Sequence, residues 1–218
     1  MYTLNKWADT LAPGATAESS ALAQHMMIFV ASGSATINGV KLIEGGATYV
    51  EDFLAIAAGS EGATLWRWGI RADAASSGLL AGQGISSVLR MTRKVKMFEM
   101  VPTSKWLFRL DRILNFEGTT GMHSHPGSGI RCLCSGSLKA QSDKGENSYN
   151  NQRGDVWYEE GAYPLISTAD AGDKTTFLRG MILPPEFLAY AETANWIEGF
   201  KAKFESWDRL RDVVVTLR

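Results

Sequence analysis

The chain is poor in the two residue types that most often bind transition metals, with 2 cysteines and 3 histidines among 218 residues. The cysteines, Cys132 and Cys134, lie two apart in one apparent strand, a spacing that suits a structural disulfide poorly. The opening residues, MYTLNKWADTLAPG, lack the basic start and the apolar stretch of a secretory signal. We therefore expect reduced thiols and a cytoplasmic location.

Neither sign of charge dominates the chain, because 22 lysines and arginines are balanced by 23 aspartates and glutamates. This balance gives no sign of the strongly basic surface that proteins use against nucleic acids or anionic membranes. No apolar run reaches about 18 residues, so no membrane-spanning helix is expected. The partners that we expect are a small-molecule ligand and a second copy of the chain, with no nucleic acid and no membrane.

Short β-prone runs fill most of the chain and are separated by turn residues, including many of its 22 glycines. Asn38-Gly39, between two such runs, is a strong hairpin signal. The runs number about a dozen, at spacings that are typical of sandwiches or barrels rather than of alternating strands and helices. The pattern predicts an all-β protein.

The two halves of the chain are loosely alike. Each has an apolar strand that ends in a Gly-Ser pair and is followed by a Gly-led strand, GGATYVED in one half and GDVWYEEG in the other. An internal duplication explains this pattern, and the small residues at 72–87 indicate a linker. We predict one unit at 1–71, a second at 88–185, and a tail at 186–218 that returns to pack on them. Apolar residues at roughly helical spacing predict a partly helical tail: Phe187, Tyr190, Ala194, Ile197 and Phe200.

Two segments of the second half carry a family pattern. GTTGMHSHPGSGIRCLCSG contains His123 and His125 and closes at Gly136, while GDVWYEEGAYP reaches its glycine at Gly161. Together with the glycine skeleton of both halves, these segments resemble the cupin superfamily, specifically a two-domain bicupin, over roughly residues 10 to 184. The resemblance implies two double-stranded β-helix (jelly-roll) barrels, each able to hold a site in its mouth.

The His-x-His pair is the part of this pattern that suits metal chemistry. Side chains two apart on a strand point to the same face, so His123 and His125 can coordinate one metal ion together. The resemblance implies a glutamate and a third histidine as further ligands, but Gly129 and Pro164 stand at those positions. Two of the four expected ligands are therefore absent.

Three interpretations follow from this incomplete set. In the first, His123, His125 and a replacement ligand bind a divalent transition metal (Fe, Mn, Zn or Ni) in an open site. Glu159 is the first candidate for that ligand, because the resemblance places it on the strand that ordinarily carries the fourth one. The other candidates are Tyr158, Glu160 and Glu117. In the second interpretation no metal binds and the histidines line a pocket as hydrogen-bonding or acid–base groups, and in the third both are structural.

Arg131 lies on the strand face that the resemblance places toward the barrel interior. A guanidinium stays protonated even when it is buried. Its charge therefore has to be compensated by a carboxylate, a phosphate or water. Arg131 is therefore either an anchor for a small anionic substrate or the partner of an acidic residue such as Glu159 or Asp111. Arg179 and Arg109, on other predicted strands, are further candidates for the anchor.

These residues leave several functions open. The first is a metal-assisted small-molecule cupin enzyme that acts on a carboxylate-type substrate in the second barrel, with Arg131, Glu159 and Tyr158 as catalytic residues. Isomerase, lyase and dioxygenase chemistry all suit such a site. The second is a metal-free or degenerate cupin that binds or senses a small ligand without catalysis, and the third is a structural partner protein. The first half keeps no metal set and is expected to act as a scaffold or as the interface of a homodimer.

Overall fold

The computed structural model describes residues 2–19, 23–72, 77–100, 104–197 and 206–217. Antiparallel strands make up most of these residues, which confirms the all-β prediction. The chain divides into two compact units, Met1–Lys94 and Val95–Arg218. Within the described ranges, no helix is long and apolar enough to cross a membrane.

The first unit is built on one antiparallel sheet. Its described strands are β1 (Tyr2–Leu11), β2 (Thr16–Ser19), β3 (His25–Ile37), β4 (Val40–Ile43), β5 (Ala47–Glu51), β6 (Leu54–Ala72) and β7 (Ile85–Lys94). The main order is β4-β3-β6-β1-β7, while β2 pairs with β6 and β5 pairs with β3. Asn38 and Gly39 join β3 to β4 with positive φ angles of 46° and 81°, the conformation that a tight two-residue hairpin requires. The predicted hairpin is confirmed.

The strand β7 pairs along its length with β1 in the first unit. The sequence predicts a linker at residues 72–87 and a second unit that begins at residue 88. Residues 85–94 instead extend the first sheet, because pairing with β1 satisfies backbone groups that a linker would leave to solvent. Residues 73–76 of the predicted linker lie outside the described ranges.

A buried ion pair stands beside the apolar core of the first unit. The Nε of Arg67 lies 2.5 Å from the Oδ2 of Asp9, and both side chains are fully buried. Arg67 also donates from Nη2 to the Oδ1 of Asp9 at 3.0 Å, and its guanidinium lies 4.9 Å from the ring centroid of Trp7. The hydroxyl of Ser87 donates to the Oδ1 of Asp9 at 2.5 Å, so strands β1, β6 and β7 share one polar network.

The second unit contains two five-stranded antiparallel sheets within the described residues. Its strands are β8 (Lys105–Phe116), β9 (His123–Ser124), β10 (Gly129–Ser135), β11 (Leu138–Ser142), β12 (Ser148–Asn150), β13 (Val156–Glu159), β14 (Leu165–Thr168), β15 (Thr175–Leu183), β16 (Asn195–Trp196) and β17 (Ser206–Thr216). The sheet orders are β13-β10-β15-β8-β17 and β12-β11-β14-β9-β16. Apolar side chains from both sheets form a core: Ile113, Phe116, Leu133, Leu138, Ala140, Trp157 and Ala169.

The described part of the tail is mainly extended, and the prediction of a helical segment is not supported. It contains a single 3-10 turn at Pro185–Ala189 and the strands β16 and β17. β17 pairs along β8, and β16 pairs with β9, so cross-strand hydrogen bonding prevails over the weak helical spacing of the apolar residues. Phe200, the last member of that spacing, lies outside the described residues.

Candidate functional site

The second unit contains a small cavity with a volume of about 60 Å³, well below the roughly 300–1,000 Å³ of pockets for drug-sized ligands. Its walls combine aromatic side chains with a few polar groups. The lining residues are Ile113, Phe116, His123, His125, Glu159, Ser167, Phe177, Arg179, Glu192, Ala194, Trp196 and Trp207. The predicted His-x-His pair therefore faces the same cavity as Glu159 and Arg179.

The two histidines lie against each other at the cavity wall. Their ring centroids are 5.0 Å apart with an interplanar angle of 82°, and both side chains are buried. The Nδ1 of His123 lies 3.0 Å from the carbonyl oxygen of Gly121, so it is the protonated nitrogen, and Nε2 keeps its lone pair. Burial lowers the pKa of His125 to about 4 and also lowers the pKa of His123 below its ordinary value. Both imidazoles are neutral at pH 7.

His125 has an acceptor on each side of its ring. Its Nδ1 lies 3.2 Å from the carbonyl oxygen of Thr193, and its Nε2 lies 3.4 Å from the Oε2 of Glu159. A neutral imidazole carries a single N–H, so only one of these contacts is a hydrogen bond at a time. In its two neutral tautomers His125 therefore donates either to Thr193 or to Glu159.

Glu159 is held by three neighbours. Its Oε2 lies 2.6 Å from the Nη2 of Arg131, and its Oε1 accepts a hydrogen bond from the Nε1 of Trp157 at 2.8 Å. Burial acts to raise the pKa of Glu159, but the charge of Arg131 and the hydrogen bonds from His125 and Trp157 hold the pKa well below its usual range. Glu159 is thus ionised at neutral pH, and because His125 is neutral, Arg131 supplies the compensating charge.

Strand register brings Arg131 and Glu159 together. Gly129 on β10 lies opposite Glu159 on β13, and Arg131 lies opposite Trp157, so Arg131 and Glu159 are diagonal neighbours on one face of the sheet. Arg131 is fully buried, and its Nε and Nη1 have no hydrogen-bond partner among the described residues. A Cβ atom added at Gly129 would lie 2.5 Å from the Nη1 of Arg131, so the guanidinium fills the space of a side chain at position 129.

Arg179 is the cation that reaches the cavity. It lies opposite Arg131 on β15, and its Nε and Nη2 donate to the two carboxylate oxygens of Asp111, each at 2.8 Å. Its guanidinium lies 4.5 Å from the ring centroid of Trp207. Arg179 lines the cavity, and its Nη1 is the guanidinium nitrogen that does not bond Asp111.

The remaining candidates from the sequence lie away from the cavity. Arg109 forms a two-bond ion pair with Asp212, at 2.7 and 2.8 Å. Tyr158 lies on the opposite face of β13 from Glu159 and does not line the cavity. Glu160 pairs with the Nζ of Lys96 at 2.8 Å, and Glu117 is exposed beside Lys174. Cys132 and Cys134 form no disulfide in the structure.

The residues as placed do not fit a metal ion. A site that binds a divalent transition metal needs at least three donors around one point. Within the described part of the chain, no group of three histidine, cysteine, aspartate or glutamate side chains is placed to hold one. Both oxygens of Glu159 are moreover already engaged, because the Nη2 of Arg131 lies 2.6 Å from Oε2 and the Nε1 of Trp157 donates to Oε1 at 2.8 Å.

Sequence reasoning did not anticipate that the tail supplies one wall of the cavity. Glu192, Ala194, Trp196 and Trp207 all come from residues 186–217. The indole of Trp196 lies 5.0 Å from the imidazole of His123, and its Nε1 donates to Glu192 at 2.6 Å. The signal in the sequence was the pair of tryptophans in the tail, since aromatic side chains are enriched at ligand sites.

We expect the stability of the protein to fall as the pH drops from 7 to 5. The unfolded chain binds a proton at His125 below about pH 6.5, whereas the folded chain does so only near pH 4. Proton uptake thus favours unfolding, by about 2 kcal/mol between pH 7 and pH 5. Urea unfolding of the wild type and of His125→Gln at both pH values measures this difference, which should shrink in the variant. An equal loss in both proteins would show that His125 does not titrate in this way.

Solved structures with a similar architecture place the chain among proteins with the cupin fold. Oxalate decarboxylase from Bacillus subtilis at pH 4.6 is 16% identical over 82% of this chain and 68% of its own, with a TM-score of 0.56. A structure of the same enzyme from work on its Mn(II) centres is 15% identical over 88% of this chain and 71% of its own, with a TM-score of 0.58. A variant of salicylate 1,2-dioxygenase from Pseudoaminobacter salicylatoxidans, in complex with gentisate, is 14% identical over 93% and 73%, with a TM-score of 0.50.

These likenesses confirm the cupin fold that the sequence resembles. At such low identity they show the fold alone. No protein-family profile and no curated protein sequence matches the chain. The function must therefore be inferred from the cavity of the second unit.

Proposed function

We propose that the chain is a small-molecule bicupin in which each compact unit corresponds to one barrel. The ligand site is the cavity of the second unit, and its ligand is a carboxylate of only a few non-hydrogen atoms, because the cavity volume is about 60 Å³. This proposal rests on one observation. One small cavity is lined by Arg179, His123, His125 and four aromatic side chains. The described lining combines a few polar groups with apolar walls, as small-molecule sites usually do.

Arg179, rather than Arg131, is the proposed anchor for the carboxylate. Arg131 is fully buried and does not line the cavity, whereas Arg179 lines it and pairs with Asp111 through Nε and Nη2, not through Nη1. Guanidinium groups bind carboxylates through paired N–H donors, so Nη1 suits this role. The oxalate decarboxylase and gentisate-bound dioxygenase structures support a small carboxylate at a fold-related site.

The proposed chemistry is proton transfer by neutral imidazoles. The unprotonated Nε2 of His123, a residue of the cavity wall, is the proposed proton acceptor, and the neutral His125 packs against it. Glu159, fixed by Arg131, keeps a constant negative charge beside them. These groups suit an isomerase or a lyase that moves a proton on its substrate. A cupin that binds the same ligand without turnover uses the same contacts and is the alternative.

The metal-assisted enzyme predicted from the sequence is the second candidate. The Mn(II) centres of oxalate decarboxylase favour it, as does the orientation of His123, whose Nδ1 is held by a backbone carbonyl as in many metal sites. The arrangement of donors argues more strongly against a metal. The carboxylate of Glu159 is paired with Arg131, and the described residues contain no group of three donors placed to hold an ion. The homodimer and the cytoplasmic location stay predictions.

We expect small carboxylates to raise the melting temperature of the protein and neutral analogues to raise it much less. The physical reason is the charge-assisted pairing that Arg179 offers to a carboxylate and not to an amide. A thermal-shift screen with formate, acetate and oxalate, each beside its amide, measures the difference. Equal stabilisation by charged and neutral members would show that Arg179 is not the anchor.

A matched pair of variants tests whether a stabilising ligand binds in the cavity. Ala194 lines the cavity, whereas the adjacent Asn195 is exposed and outside it. Ala194→Phe should fill the cavity and abolish the ligand-induced shift, and Asn195→Phe should keep it. A ligand that stabilises both variants equally binds elsewhere and would refute the proposed site.

A further inference from the structure

Glu192 is a charged residue of the cavity wall to which the proposed proton transfer gives no role. It comes from the tail and lines the same cavity as Arg179, His123 and Glu159. Its Oε1 accepts a hydrogen bond from the Nε1 of Trp196 at 2.6 Å, and the indole of Trp196 lies 5.0 Å from the imidazole of His123. These contacts hold a second carboxylate at the small cavity, besides that of Glu159.

The charged side chains of the lining do not balance. Arg179 is paired with Asp111, and Glu159 is paired with Arg131, so each of these charges is compensated by a neighbour. Glu192 accepts its hydrogen bond from a neutral indole, and no cationic side chain in the described ranges forms an ion pair with it. Since both imidazoles are neutral at pH 7, the described lining carries an excess of one negative charge, at Glu192.

A ligand that carries only a carboxylate is poorly matched to this lining. A carboxylate bound at Arg179 would lie close to Glu192, because the volume of the cavity is only about 60 Å³. Two negative charges at such short range repel each other. An ammonium group on the same ligand would replace this repulsion with an ion pair, and the indole of Trp196 at the cavity wall would attract it further.

We infer that the ligand of this cavity is a zwitterion of the size of glycine or alanine, whose carboxylate pairs with Arg179 and whose ammonium group pairs with Glu192. The inference rests on the proposed function, which supplies the site and the carboxylate anchor. It adds the second charge of the ligand and a residue that recognises it. Both amino acids have only a few non-hydrogen atoms, as the volume of the cavity requires.

The test is isothermal titration calorimetry of the full chain at pH 7 with three ligands of similar size. Glycine carries both charges, acetate carries only the negative charge, and glycinamide carries only the positive charge. Glycine is expected to bind about 10-fold more tightly than either of the others, the effect of one added charge-assisted hydrogen bond. A larger preference is not expected, because Glu192 is also exposed to solvent, which screens its charge.

A matched pair of variants assigns this preference to Glu192. Glu192→Gln keeps an acceptor for the Nε1 of Trp196 but removes the charge, so glycine and acetate should bind it about equally. Glu186→Gln makes the same substitution at an exposed glutamate of the tail that does not line the cavity, and it should keep the preference of the wild type. Circular dichroism checks that both variants are folded.

The possible failures are distinguishable. If acetate binds the wild type as tightly as glycine does, the inference is wrong and the proposed carboxylate site stands. A preference for glycine that persists in Glu192→Gln also overturns the inference, because another group then binds the ammonium. Glycinamide that binds as tightly as glycine, or a wild type that binds neither glycine nor acetate, refutes the carboxylate anchor of the proposed function and the inference with it.

Discussion

Glu159→Ala is expected to lower the free energy of unfolding by about 3–5 kcal/mol, because it leaves the charge of Arg131 buried without a partner. Arg131 is fully buried and already has two nitrogens without hydrogen-bond partners among the described residues, so it has little room to find a new acceptor. Urea unfolding at pH 7, followed by tryptophan fluorescence and circular dichroism, measures the loss.

Two companion variants separate the charge from the packing. Glu159→Gln keeps an acceptor for the Nε1 of Trp157 but removes the negative charge, so it should also be destabilised strongly. The double variant Arg131→Met/Glu159→Leu removes both charges and keeps apolar volume, so its loss should be smaller than that of Glu159→Ala. If Glu159→Ala and Glu159→Gln have the same urea midpoint of unfolding as the wild type, the ion pair does not stabilise the protein.

Asp9→Ala should produce a loss of similar size in the first unit, again about 3–5 kcal/mol. It leaves Arg67 buried without its carboxylate and takes away the acceptor of the Ser87 hydroxyl. The same urea experiment applies, with Asp9→Leu/Arg67→Met as the variant that removes both charges.

The exposed pair between Lys174 and Glu117, at 3.9 Å, provides the surface control for this prediction. Glu117→Ala should leave the unfolding midpoint unchanged, because solvent screens exposed pairs. An Asp9→Ala variant as stable as Glu117→Ala would show that the buried pair contributes nothing to stability.

Features set by local sequence were predictable. The β-prone runs and the Asn38-Gly39 hairpin follow from side-chain periodicity and turn chemistry, and both agree with the structure. The placement of His123 and His125 at one cavity follows from the two-residue period of a strand. In each case the residues that decide the geometry are close together along the chain.

Features set by long-range pairing were not predictable in the same way. The spacing of apolar residues in the tail favoured a helix, but pairing of β17 with β8 decided the outcome. For Arg131 the sequence left a ligand, Glu159 and Asp111 open as partners, and only the register of β10 against β13 selects Glu159. The role of Arg179 depends likewise on Asp111 on a neighbouring strand.

The arrangement of Gly129, Arg131 and Glu159 constrains how the protein can evolve. A larger residue at position 129 collides with the guanidinium, and a change at either charged residue leaves the other buried and unpaired. The three positions are therefore strongly non-additive in their effects on stability. A lineage that changed these residues one at a time would pass through a destabilised intermediate. Sequences related to this chain should keep or lose the three residues together.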